Sequence, residues 1–483
     1  MSESLERKMI TREKRLKTIS HYNGTLESLL EDTEGDQLKQ RIRTLTQINQ
    51  DEVVAAIRVL ASISQAVVIV HGVVGCAASG LAFLNDDNSE INLNEKNSIR
   101  QKENRIYSTN LCERDTILGG EEKLRQAINR AYEETNPKVI FIVGTPVVAI
   151  NNDDVNSMLY DFEDIDAKII PINTDGFKTK TYITGYDLVL HSLLKYVVKG
   201  RKDGENQEDF LNVVSVSENK ENRDAISEIL DRLEISYQFL PNGQDVDSIE
   251  RASYAKATIV LNRDEGEYFA KKLEDLYGVP YVVTKPPIGI RGTRHFIRQI
   301  AKLYNIEERA EAYISNQEEQ IGRAYAGNPL HDKKVFVEAS PYEIPRFNTF
   351  IQELGGELSG ICVPYVDEND REAFKHLEAV AKNIPAIVAV GQLFEKANVL
   401  SKKGADYYIS TLGGTSFVAE RGTLPINLKS CAYLGYKGIV RILQSIERGN
   451  LQKKRYIPEN SGIAYKESWL KKSSNWYVKK EVS

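Results

Sequence analysis

The chain has 483 residues, 41% of them hydrophobic and 27% charged, with a formal net charge of -6. That length exceeds one hydrophobic core and predicts about three domains. The mild acidity gives no reason to expect nucleic acid, and no apolar run approaches the roughly 20 residues that a membrane helix needs.

The charged start, MSESLERKMITREKRLK, has no apolar run behind it, so no secretory leader is expected and the chain reads as cytoplasmic. Residues 1–50 are polar. Leu26, Leu29 and Leu30 have helical spacing but too little apolar company for a core, which predicts an N-terminal arm. Val53, Val54, Ile57, Leu60 and Ala61 then predict a helix over 52–63. Directly behind it runs Val67-Val68-Ile69-Val70-His71-Gly72-Val73-Val74-Gly75-Cys76. A short β-branched run closed by glycines is a buried strand that stops in a turn and presents a thiol at its tip. Such a thiol can bind iron or zinc, act as a nucleophile, or pack as a small apolar side chain.

Residues 85–102 are charged and Asn-rich, as expected of a surface loop. Gly119-Gly120 before Glu121 and Glu122 predicts a turn into a helix reaching Tyr132, whose acidic first turn suits the helix dipole. A strand over 139–143 ends in Gly144-Thr145-Pro146 and Asn151-Asn152-Asp153-Asp154, where both aspartates read as helix caps. A strand over 168–172 and a helix over 185–198 complete a first domain, 51–205. A second cycle, 206–330, has strands over 211–216, 236–240, 257–261 and 282–283, helices over 222–233 and 266–276, and a long helix over 294–326. A third, 331–450, has strands over 334–337, 361–363 and 386–390. Short apolar strands alternating with helices make this an α/β chain of three doubly wound Rossmann-like domains with parallel sheets. The basic, aromatic tail, 451–483, reads as a subunit-clasping arm rather than a nucleic-acid contact.

Cys76, Cys112, Cys362 and Cys431 show no C-x-x-C spacing, which speaks against a disulfide framework and a self-contained zinc site. A metal cluster on Cys76 would draw most of its ligands from another polypeptide and would lie at an interface. No G-x-G-x-x-G opens a helix, so a nucleotide-binding enzyme is the weaker alternative.

His71-Gly72-x-x-Gly75-Cys76, Asp115-x-x-x-Gly119-Gly120-Glu121-x-Lys123-Leu124 and Thr145-Pro146 through Asp153-Asp154 occur in order. They are followed by Asp175-Gly176-Phe177, then Tyr277-Gly278-Val279-Pro280-Tyr281 with Pro287-Ile288-Gly289, and Leu434-Gly435-Tyr436-Lys437-Gly438. Together they resemble nitrogenase component 1 proteins over roughly residues 50–450. The resemblance implies an oxidoreductase subunit or cofactor-assembly scaffold, paired with a homologous subunit or with a second copy of itself. It also implies a [4Fe-4S] cluster at the interface. Electrons would come from an ATP-dependent iron protein and pass to a reducible substrate or a maturing metallocofactor.

The sequence departs from the family's ligand pattern. Of three interface cysteines, Cys76 fills the middle position; the upstream one falls near Asp51, which more simply starts a helix, and Pro146 stands at the third. The single thiolate is similar to the β-type subunit of the cofactor-assembly scaffold and of the tetrapyrrole reductases. Cys112 lies at a non-ligand position and is the candidate second ligand, since two copies each of Cys76 and Cys112 would make a four-thiolate site in a homodimer. The family's cofactor cysteine and histidine fall near Asn262 and Leu434, which leaves a second metallocluster without those ligands. Asn262, Arg263 and Arg291, with Lys285 and Arg294, fall where the family keeps its cofactor or substrate, and read equally as a pocket for an anionic ligand or as a plain solvated face. His71 is expected to brace the turn, and Cys362 and Cys431 to lie in cores. A redox-inactive assembly or regulatory protein on the same fold is the alternative function.

Overall fold

A computed structural model describes residues 18, 19, 21–34, 51–78, 105–151, 153–174, 181–202, 204–215, 219–325, 327–367, 370–389, 393–415, 417, 418, 422–452 and 466–473. The expected loop over 85–102, the Asp175-Gly176-Phe177 motif and most of the basic tail lie outside these. In chain order the described strands are β1 (Tyr22–Thr25), β2 (Ala66–His71), β3 (Ile106–Ser108), β4 (Val139–Gly144), β5 (Lys168–Asn173), β6 (Glu208–Ser215) and β7 (Tyr237–Pro241). There follow β8 (Ala255–Val260), β9 (Tyr281–Val283), β10 (Lys334–Glu338), β11 (Glu357–Val363), β12 (Pro385–Val388), β13 (Tyr407–Ser410) and β14 (Leu424–Asn427).

The chain divides into two compact units, the first within residues 1–16, 50–217 and 236–283, the second within 17–49, 218–235 and 284–483. In the first unit, two sheets run in the orders β3-β2-β4-β5 and β7-β6-β8-β9. Every pair in both is parallel. β2 and β4 are buried along their whole length, the property that makes parallel strands continuous apolar runs. The helix Glu52–Leu60 lies beneath them with all but Arg58 buried. Asp51 caps it, accepting from the Val54 amide at 2.8 Å. It packs on the helix Ile183–Ser192 at Gly185, where a Cβ would fall 2.4 Å from the Glu52 carbonyl.

The second unit holds the sheet β1-β12-β11-β10-β13-β14, parallel except for β1. Within the span expected as an arm, the described residues 21–34 are part of this unit's fold: β1 pairs antiparallel along the edge of β12, with Tyr22 opposite Val388. The following helix, Leu26–Glu34, buries Leu26, Leu29 and Leu30 against the helix Asp370–Ala381. Three leucines are too few for a core of their own, but distant residues complete it. The long helix expected over 294–326 is two helices, Gly289–Tyr304 and Glu307–Ala324. Asn305, at φ 54°, ends the first in the left-handed conformation that asparagine tolerates better than most residues. Among the described residues no helix is long and apolar enough to cross a membrane.

Candidate metal centre

In the first sheet the chain passes from β2 to β3 on one side and then to β4 on the other. The crevice between the carboxyl ends of β2 and β4 is therefore a topological switch point, the place where such sheets bind ligands. The turn carrying Cys76 leaves β2 there, wedged between two loops. On one side the Gly72 amide donates to Thr109 Oγ1 at 3.0 Å and the Leu111 amide donates to the Gly72 carbonyl at 2.9 Å. On the other the Thr145 amide donates to the His71 carbonyl at 3.0 Å. A Cβ on Gly72 would lie 2.1 Å from Thr145 Oγ1, so only glycine admits this approach. The Cys76 amide then closes a turn onto the Val73 carbonyl at 3.1 Å.

A buried polar relay braces the turn. His71 is fully buried, its Nδ1 3.1 Å from Thr109 Oγ1 and its Nε2 3.3 Å from Asp153 Oδ2. Burial holds the imidazole below its ordinary pKa, and the Asp153 charge opposes this without cancelling it. The Gly120 amide donates to Asp153 Oδ2 at 3.3 Å, and a Cβ there would fall 2.8 Å from His71 Cε1. The expectation that both aspartates cap a helix is corrected. Asp154 caps Val155–Met158 by accepting from the Ser157 amide at 3.0 Å, whereas Asp153 turns inward to His71. Paired letters, Gly119-Gly120 and Asp153-Asp154, give no sign of which member faces the interior.

Cys76 is half-buried at this crevice. Burial pushes its thiol up, the Asp51 carboxylate adds to the rise, and the nearby Thr145 hydroxyl opposes it. The sulfur is thus held as a thiol until a cation compensates the charge of the thiolate. Cys112 is exposed and opens the helix Glu113–Leu118, its amide donating to Asp115 Oδ2 at 2.7 Å. Contacts with Cys112, and then Lys123 at 2.6 Å, keep the Asp115 carboxyl well below the usual range.

Several large apolar side chains are exposed on the segments that carry or flank the two thiols. Val74 is 61% exposed, Ile117 77%, Leu118 68% and Ile150 70%. Each belongs to a segment that starts at the crevice: the Cys76 turn, the helix opened by Cys112, and the helix Pro146–Asn151 that follows Thr145. Exposed large apolar side chains of this kind are common where a protein partner docks. A [4Fe-4S] cluster takes four ligands. Among the described residues, Cys76 and Cys112 are the thiols of this unit, and Cys362 is buried in the core of the other. Two thiols are fewer than four ligands, so the residues of this unit fit a cluster whose remaining ligands come from elsewhere. Pro146, at the family's third position, starts a helix and offers no donor.

The candidate anion pocket is already committed in part. Asn262 caps the helix Arg263–Tyr277, accepting from the Asp264 amide at 3.1 Å, and Arg263 lies 3.9 Å from Glu267. In the second unit, Glu353 accepts from the Ile290 and Arg291 amides at 2.9 and 3.0 Å and lies 3.6 Å from the Arg291 guanidinium. Arg294 pairs with Glu318.

The switch point of the second unit's sheet, between β10 and β13, is filled by its own side chains. Glu338 ends β10, forms an ion pair with Lys396, and accepts from the Tyr408 hydroxyl at 2.8 Å and the Ser410 hydroxyl at 3.0 Å. Cys362 lies against the same carboxylate at 3.9 Å, and burial pushes its thiol up to about 12. Sequence reasoning missed Glu338 and Lys396, since nothing near either residue predicts that the two meet in a core.

Comparison with known proteins extends the likeness over most of the chain. The nitrogenase component 1 type oxidoreductase family model matches residues 52–449. The nitrogenase iron-molybdenum cofactor biosynthesis protein NifE of Bradyrhizobium diazoefficiens is 26% identical over 400 residues, covering 78% of this chain and 69% of that one. The nitrogenase molybdenum-iron protein alpha chain of Methanothermobacter marburgensis is 24% identical over 399 residues, covering 80% and 83%. In fold, the chain is similar to nitrogenase Cp1 at pH 6.5, with a TM-score of 0.73 at 18% identity, covering 87% of this chain and 96% of that one. The chain belongs to the nitrogenase component 1 type oxidoreductase family.

Proposed function

We propose that this chain is one subunit of a component 1-like assembly that reduces a substrate or builds a metallocofactor. In it, Cys76 gives one thiolate to a [4Fe-4S] cluster shared with a homologous subunit or with a second copy. An ATP-dependent iron protein supplies the electrons. The observation that carries the reading is the half-buried Cys76 at a strand switch point, with Val74, Ile117, Leu118 and Ile150 exposed on its turn and on two neighbouring segments. Likeness to a protein whose name gives it a part in cofactor biosynthesis supports the scaffold role in particular. The chain's own work is positional: His71 and Asp153 hold the turn rigid, Thr145 wedges against Gly72 in it, and the exposed apolar side chains exclude water once a partner seats on them. When bound, the cluster supplies one-electron transfer at low potential. A redox-inactive binding protein would keep the same exposed side chains without the metal.

Anaerobic purification, or reconstitution with iron and sulfide, separates the two. The cluster reading expects a brown protein with about four irons per dimer, bleached in Cys76→Ala while the dimer persists. Loss of iron in Cys112→Ala would identify a homodimeric four-thiolate site. Retention there would assign the remaining ligands to a different subunit. A colourless dimer, whose Cys76→Ala variant behaves identically, would leave the binding-protein reading in its place.

A further inference from the structure

The described part of the basic tail seats on the second unit. Its helix Glu467–Leu470 is a single turn, and within residues 466–473 Leu470 is buried, Trp469 half-buried and the rest exposed. Leu470 enters the core cluster that also holds Phe336, Cys362, Leu400 and Tyr408, and Trp469 packs against that cluster. Asn398 Nδ2 donates to the Leu470 carbonyl at 2.8 Å and to the Lys472 carbonyl at 3.0 Å. Lys402 Nζ donates to the same Lys472 carbonyl at 2.7 Å and to Asn398 Oδ1 at 2.9 Å. Both donors belong to the helix Leu393–Lys403, four positions apart and so on one face of it.

That helix is enclosed on two sides. Seven consecutive residues, Phe394 through Leu400, are buried, whereas a helix with one side in water exposes polar residues at every turn. Lys396 and Asn398 are two positions apart and therefore face different ways. Lys396 forms the ion pair with Glu338 at the end of β10, and Asn398 holds the tail. The crevice between the carboxyl ends of β10 and β13 is the switch point where such a sheet would take a ligand, and the side chains around Glu338 fill it. Lys396 stays there only while its helix is pressed to the sheet.

We infer that residues 466–473 are a latch. Docked, they hold the helix Leu393–Lys403 against the sheet and keep the β10–β13 crevice closed by the chain's own side chains. Released, they free that helix to carry Lys396 off Glu338, and the crevice opens. The anchor is small enough to let go: one leucine is fully buried, and ordering eight residues opposes it. The groups left behind, the Asn398 amide and the Lys402 amine, are ones that water satisfies. The latch is independent of the cluster reading, whose two thiols lie in the first unit.

The full chain and its Leu470→Asp variant are compared, both carrying Trp476→Phe so that Trp469 is the single tryptophan. Release should shift Trp469 emission to the red. Cys362, whose sulfur lies 3.9 Å from the Glu338 carboxylate, reports on the crevice. Its maleimide labelling without urea, mapped by peptide mass spectrometry, should be at least about tenfold faster in Leu470→Asp. Amide exchange should rise over the helix Leu393–Lys403 and stay unchanged over the helix Asp370–Ala381. Were Leu470→Asp unfolded by circular dichroism, Asn398→Ala, which removes only the hydrogen bonds of one side chain, decides by the same three readings. Unshifted Trp469 emission, Cys362 as slow as in the parent once emission has shifted, or exchange rising equally over both helices would each overturn the inference.

Discussion

Replacing Gly72 by alanine tests whether the Cys76 turn is wedged as described. The added methyl would lie 2.1, 2.5 and 2.8 Å from Oγ1, Cγ2 and Cβ of Thr145. Thr145 is fully buried and its backbone is tied to the His71 carbonyl at 3.0 Å, so relief requires its side chain to find another rotamer in a packed interior. Overpacking of this kind costs about 1–3 kcal/mol, and three contacts with one rigid neighbour place it at the upper end. For a unit of this size each kcal/mol lowers Tm by about 2–4 °C, so the transition of the first unit should fall by about 6–12 °C in a calorimetric scan. Thr145→Gly removes all three opposing atoms, and the double variant Gly72→Ala/Thr145→Gly should regain at least about 1 kcal/mol relative to the sum of the single changes. Additive single effects, or a Gly72→Ala transition within about 1 °C of wild type, would refute the wedge.

Maleimide labelling under native, reducing conditions should modify the exposed Cys112 first and Cys362 only on unfolding, because burial pushes the Cys362 thiol up to about 12. Lys396→Met leaves the Glu338 carboxylate buried without its cation and should cost about 3–5 kcal/mol by urea denaturation, while Lys396→Met with Glu338→Leu should recover much of it. His191, buried against the Tyr268 hydroxyl at 2.7 Å, is held below its ordinary 6.5 by burial and then by Lys195 and Lys272. The native state therefore binds fewer protons than the unfolded one just below pH 6.5. Its contribution to stability is complete above that value and is lost as pH falls toward the native pKa; Tm of wild type should drop over this interval more steeply than that of His191→Gln. Asp51→Ala removes the cap of the helix Glu52–Leu60 and should cost about 1 kcal/mol in chemical denaturation.

Local patterning was enough to identify the strands and the turn at the heart of the first sheet. A β-branched run such as Val67–Val70 has no soluble alternative to burial, and glycines at its end permit only a turn, so the place of Cys76 at a strand tip follows from the chain alone. The same holds for the helix capped by Asp51, whose apolar spacing and first polar residue act over four or five positions. What no local pattern carries is the choice of neighbour. Leu26, Leu29 and Leu30 become core residues only because the helix Asp370–Ala381 lies beside them. Asp153 rather than Asp154 faces His71 because the fold brings β2 and the segment after β4 to one crevice, and Glu338 meets Lys396 from 58 positions away. The exposure of Val74, Ile117, Leu118 and Ile150 is likewise decided only by the folded chain. Hydrophobic periodicity records what must leave water, whereas pairing between distant side chains depends on sheet order and helix packing, which only the folded chain decides.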